Sequence, residues 1–235
     1  KRYLELNKVL EIENYCTNEQ WRDPHFLTFY MLLLEFGERL RDAYGIMWRK
    51  PDLPSEQKDC SGWINWETKE IHLTDSKNRK PADVGLTDEA IQLLKNLEKY
   101  KIDPDSKAGW AASSKYVFPR FTDPTKPIND SSYVKKLRKF NYKFGLAERE
   151  YVRGKGKRKV YKYKNIYTLK HLRKTFVTHY GREHGEEAAS HRVRHSSIKV
   201  TRDHYFNPKE EQLKVKHMYQ SDTADVVEFK KKDQQ

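Results

Sequence analysis

Two neighbouring stretches decide how this chain is read: TLKHLRKTFVTHYG at residues 168–181 and RHSSIKVTRDHYFNP at residues 194–208. The first has the apolar spacing of a helix, expected over 168–184, and the second predicts a shorter helix over 197–204. Lys170 and Arg173 are three residues apart, just under one helical turn, so their side chains share a face. His195 and Tyr205 stand ten residues apart in the second stretch.

Upstream, apolar residues recur at helical spacing from Pro24 to Trp48, with Phe29, Leu32, Leu33, Phe36, Leu40, Ala43 and Tyr44 on or near one stripe and Gly37 interrupting it. Residues 49–62 hold Pro51, Pro54 and Gly62 and are expected to form a loop. WINWETKEIHLTD (63–75) alternates like a strand, turn and strand, and ADVGLT (82–87) looks like a third short strand. Thr87 is a suitable N-cap for a helix over 88–100. Further helices are expected over 3–15, 131–145 and 208–220. Loops are expected over 101–114 and 122–130, with an extended buried piece, YVFPRF, between them. The expected class is α+β, mainly α with a small antiparallel β-sheet.

These stretches resemble the tyrosine recombinases, or phage-type integrases. That family's C-terminal signature runs from a His or Lys, through two intervening residues, to an Arg in LRHTFAT-like text, and on to a GH-containing segment that ends in a nucleophilic Tyr. Lys170, Arg173, His195 and Tyr205 match those positions. The family's earlier Arg, in a TGLRxSE-like segment, is matched by Arg39 in EFGERLRDAYGIMW (35–48), together with Gly37, Asp42 and Trp48. Its β-turn Lys is matched by Lys77 in IHLTDSKNRKPADVGLT (71–87). The resemblance runs from about residue 25 to 208. It departs from the family at Arg194, where a Gly usually precedes the His, and at Lys174, where a His usually follows the second Arg.

The resemblance implies a site-specific DNA recombinase that cuts and rejoins strands through a 3′-phosphotyrosine, without metal or ATP. The residue types suit that chemistry. A phosphodiester's transition state spreads negative charge over its non-bridging oxygens. Guanidinium groups hold such oxygens with paired, charge-assisted hydrogen bonds and never lose their charge, which is the role implied for Arg39 and Arg173. Lys170 and His195 would add donors and relay the Tyr205 proton, and Lys77 would protonate the leaving 5′ oxygen. No cofactor and no metal is expected. Two other readings stay open: a DNA-binding module that kept the fold and lost the chemistry, and a type IB topoisomerase-like enzyme.

Lys and Arg number 47 against 34 Asp and Glu, for a net charge of +13. A folded, aromatic-rich chain of that charge is expected to meet a polyanion, here double-stranded DNA. Residues 149–164, REYVRGKGKRKVYKYK, hold eight Lys or Arg and one acid, and are read as a basic β-hairpin inserted in a catalytic domain spanning 1–220. Its candidate DNA contacts are Arg153, Lys155, Lys157, Arg158, Lys159, Lys162 and Lys164. Residues 221–235 form a tail with a small apolar patch, expected to pack on a neighbouring subunit. The resemblance implies a tetramer on paired DNA sites and a monomer when free. Cys16 and Cys60 stand in no metal or redox spacing. No signal peptide or spanning helix is legible, so an intracellular, DNA-associated protein is expected, cytoplasmic or with the nucleoid. The family's separate N-terminal core-binding domain is expected to be absent.

Overall fold

A computed structural model describes residues 3–53, 59–74, 81–129, 131–153 and 160–205. Its centre is a helix so apolar that it has no solvent face. α2 (Pro24–Phe36) follows α1 (Leu6–Asn18) and buries all of its residues but one. A helix that is apolar all round belongs inside a core, and this one packs against α1 and two later helices, Asp88–Ile102 and Leu169–His184. Phe29, Tyr30 and Phe36 on it are among the largest fully buried side chains.

α2 stops where the sequence predicts an interruption. Gly37 caps it in the left-handed region, at φ 69°. A Cβ here would lie 2.1 Å from the Phe176 ring, so both the backbone angle and the packing call for glycine. Beyond Gly37 the helical pattern does not resume in full. The short helix α3 (Leu40–Tyr44) gives way to β1 (Ile46–Met47), so the stripe expected through Trp48 ends as a strand. Ile46 and Met47 are drawn into a sheet by β2 (Gly62–Asn65), which pairs with them in parallel.

β3 (Glu70–Leu73) and β4 (Ala82–Gly85) complete that four-stranded sheet in the order β1-β2-β3-β4, antiparallel apart from its first pair. The expected strand–turn–strand is therefore present. Thr87 caps α4 (Asp88–Ile102) as expected, accepting from the Ala90 N–H at 3.1 Å. The loop expected over 122–130 instead contains β6 (Asp123–Pro127), paired with β5 (Pro119–Arg120). Two prolines in five residues hide its strand character, and a two-stranded edge tolerates them because each needs only part of the ladder.

α5 (Val134–Lys143) leads into the hairpin β7 (Ala147–Arg153) and β8 (Val160–Asn165). α6 (Leu169–His184), α7 (Glu186–Arg192) and α8 (Ile198–Tyr205) follow. α7 was not legible: EEAASHR offers only two alanines as apolar signal, and Gly185, at φ 92°, separates it sharply from α6. These three helices enclose a second small core of Val177, Ala189 and Val193, with Phe176, Tyr180 and Tyr205 packed against it. The expected helix over 208–220, the tail over 221–235 and the hairpin tip lie outside the described residues.

Candidate active site

Arg173 sits at the meeting point of three chain segments. From α6 its Nη1 donates to the Gly37 carbonyl at 2.8 Å, and its Nη2 donates to the Val193 carbonyl at 3.0 Å. The same Nη2 lies 3.0 Å from His195 Nε2. An arginine has no acceptor, so His195 Nε2 must accept, which puts the ring hydrogen on Nδ1. That nitrogen lies 2.7 Å from Thr201 Oγ1 on α8, and Thr201 is fully buried. The imidazole is thus held between a guanidinium and a hydroxyl, with tautomer and ring plane fixed together. Tyr205, half-buried at the end of α8, has its ring 5.3 Å from that of His195. Sequence reasoning placed Arg173, His195 and Tyr205 together, and the fold brings them together.

Arg39 is exposed and stands at the N-cap of α3, two residues past the carbonyl that Arg173 holds. Lys170 is exposed in the first turn of α6. Its neighbour His171 is occupied elsewhere: its Nδ1 accepts from the Thr168 N–H at 2.9 Å and closes a capping box. That local duty fits the assignment of Lys170, rather than His171, to the site. Lys77 lies outside the described residues, as do Lys155, Lys157, Arg158 and Lys159.

One group in the centre was not singled out from the sequence. Glu38 has no exposed side-chain surface, and its carboxylate lies 3.6 Å from Arg173 Nη1 and 3.2 Å from Arg194 Nη2. Arg194 also reaches Asp42 at 3.3 Å. Its backbone is left-handed, at φ 54°, which explains why glycine is the commoner residue at this place in the resembling pattern. In that pattern an apolar residue stands where Glu38 is. The two departures meet across 156 positions of sequence and form an ion pair between the Arg39 segment and the His195 turn. A pattern compared position by position has no means of showing such a pair.

The hairpin is less uniformly basic than its composition. Lys162 and Lys164 face Glu150 and Glu148 across the strands. On the other face Arg149 lies over the rings of Tyr142 and Tyr161, at 4.6 and 4.3 Å. Arg153 ends β7 on the exposed surface. Among the described residues, no group of three His, Cys, Asp or Glu side chains is placed to hold a metal ion, and no helix is long and apolar enough to cross a membrane.

Solved structures of known proteins share the fold. The XerA recombinase has a TM-score of 0.61 at 16% identity, over 93% of this chain and 63% of its own. The Tn1549 transposon integrase in complex with transposon right end DNA has a TM-score of 0.60 at 13% identity, over 93% and 66%. The XerH site-specific recombinase bound to difH substrate has a TM-score of 0.57 at 15% identity, over 92% and 52%. The chain thus spans between half and two thirds of these proteins' lengths. No curated protein sequence matches it. The model of the phage integrase family matches residues 2–212, nearly the whole of the sequence in which Arg173, His195 and Tyr205 converge, and this chain belongs to that family, the tyrosine recombinases.

Proposed function

We propose that this chain cleaves and rejoins DNA strands, with Tyr205 as the nucleophile. The observation that carries the reading is the convergence of Arg173, His195 and Tyr205 on the segment that bears Arg39. Three of the five N–H donors of Arg173 are committed to Gly37, Val193 and His195. Those bonds, with the Glu38 carboxylate 3.6 Å from Nη1, orient the guanidinium and leave its Nε–H for a phosphate oxygen. Arg39, exposed on the neighbouring segment, supplies the second guanidinium of the clamp. Tyr205 Oη attacks phosphorus, and its proton passes to Lys170, or to His195 Nε2 as that nitrogen gives up its bond from Arg173. The bond from phosphorus to the 5′ oxygen breaks, and Lys77 protonates that oxygen. The phosphotyrosine keeps the bond energy, so a 5′ hydroxyl reverses the step and seals the strand without an external energy source.

The partner in this reading is double-stranded DNA, met by a net charge of +13. Assembly of four copies on paired sites, with the 221–235 tail packed on a neighbour, and a place beside the chromosome inside the cell belong to the same reading. The test is incubation with a nicked suicide duplex that traps the covalent adduct. Wild type accumulates the adduct and Tyr205→Phe forms none. An adduct with Tyr205→Phe overturns the assignment, and DNA binding without any wild-type adduct means that the fold has kept binding alone.

A further inference from the structure

A cavity of about 690 Å³ lies at the far end of α2. Asp23 and His25, which line it, begin that helix, whereas Gly37 ends it. Thirteen residues at 1.5 Å each put the cavity about 20 Å from the Arg173 centre along the helix axis. Its volume falls within the range typical of small-ligand sites.

The walls are cationic. Arg22, Lys107, Arg120, Lys135 and Lys136 line the cavity, and Asp23 is the sole carboxylate among the described lining residues. Asp23 is already paired with Lys136 at 2.7 Å. The first turns of two long helices, α2 and α5, also line it, and neither has a side-chain cap. Helix N-termini carry partial positive charge and favour anions, phosphate above all. Flat apolar surface adjoins these charges. Trp110 and Phe121 meet edge to face at 5.1 Å, and Phe121 is 76% exposed, an unusual state for a phenylalanine on a cavity wall.

The wall's polar groups are also incompletely bonded. His25 Nε2 and Arg120 Nε are buried and have no hydrogen-bond partner among the described residues. Burial, with Lys136 and Lys101 nearby, lowers the His25 pKa to about 3, so this ring adds no charge to the wall.

We infer that this cavity is a nucleotide site, taking a phosphate between Arg120, Lys135 and the two helix N-termini and a base against Phe121. The phosphate accounts for the cations and helix ends, and the base for the exposed ring. A free mononucleotide and an unpaired nucleotide in DNA share this chemistry. The inference does not depend on Tyr205 being a nucleophile.

The test is calorimetric titration of the whole chain with deoxyadenosine monophosphate, with deoxyadenosine and inorganic phosphate as separate probes. The mononucleotide binds saturably, and each half binds at least about tenfold more weakly. Phe121→Ala and the pair Arg120→Gln, Lys135→Gln each weaken it by about tenfold or more. Unchanged melting temperatures show that these variants fold. Arg173→Lys leaves nucleotide binding intact, which separates this cavity from the cleavage centre. A duplex with one bulged adenosine that displaces the mononucleotide, where a fully paired duplex does not, assigns the site to DNA. Failure of the bulged duplex to compete assigns it to the free nucleotide. No saturable binding at millimolar nucleotide overturns the inference. So does binding lost with Arg173→Lys, binding indifferent to Phe121→Ala, or an acidic peptide that binds more tightly than the nucleotide.

Discussion

Glu38 and Arg194 are each a costly choice for its position, and each offsets part of the other's cost. A left-handed arginine is strained by about 1 kcal/mol relative to glycine. A fully buried carboxylate without a partner costs more, and removing one member of such a pair typically costs about 3 kcal/mol. The stronger effect decides the outcome: Arg194→Gly relieves the strain but takes from the buried Glu38 carboxylate the nearer of its two arginines, leaving Arg173 at 3.6 Å, and destabilises the chain by about 2 kcal/mol net. Glu38→Leu combined with Arg194→Gly removes both charges and the strain, and returns stability to within about 1 kcal/mol of wild type. Urea unfolding of the two single variants and the double variant checks this. Additive losses in the double variant would show that the pair is not coupled. At this scale Arg173, His195 and Tyr205 were legible because their spacing is local to two adjacent segments. The Glu38–Arg194 pair was not, because only the folded chain brings position 38 to position 194.

The junction of α2 with α4 holds a carboxyl group that resists ionisation. Burial is the main cause that raises the Glu35 pKa to about 7 from the usual 4.5; Glu13 and Glu89 add to it, and the hydrogen bond from Thr87 opposes it. The folded chain therefore keeps a proton that the unfolded chain has already released. The folded pKa is the higher of the two, so the stability tied to Glu35 is full below about pH 4.5 and lost as pH rises to about 7. Glu35→Gln is expected to stabilise the chain by about 2 kcal/mol at about pH 8, an advantage that vanishes near about pH 4. Denaturant midpoints of wild type and variant across that range give the answer, and a gain independent of pH would point to another cause. Elements with strong local signals, such as α4 with its Thr87 cap, were legible. β6 was masked by its prolines, α7 by its small residues, and β1 by an apolar stripe that serves helix and strand equally well.

Across the whole molecule, the surplus of positive charge is unevenly distributed. Each phosphate contact contributes about 0.9 to the slope of log affinity against log salt. Lys162 and Lys164 face Glu150 and Glu148, so part of their charge is already offset. Lys162→Ala with Lys164→Ala is expected to lower the slope by less than the about 1.8 of two independent contacts. Glu148→Gln with Glu150→Gln is expected to tighten binding at low salt. Fluorescence anisotropy over a salt series measures both, and a full loss for the lysine pair would mean that the acids turn away on DNA. Composition made the sign of the field legible but not its distribution, because cross-strand register is a property of the folded hairpin.

The first described residues are fastened to the helix that carries Arg173. The Leu4 N–H donates to Thr175 Oγ1 at 2.9 Å, the Leu4 carbonyl lies 2.8 Å from His179 Nε2, and the Arg182 guanidinium reaches the Tyr3 hydroxyl at 2.9 Å. All three anchors lie on α6 within nine residues of Arg173. A pull on Tyr3 and Leu4 is therefore borne by α6, the helix on which Arg173 itself sits.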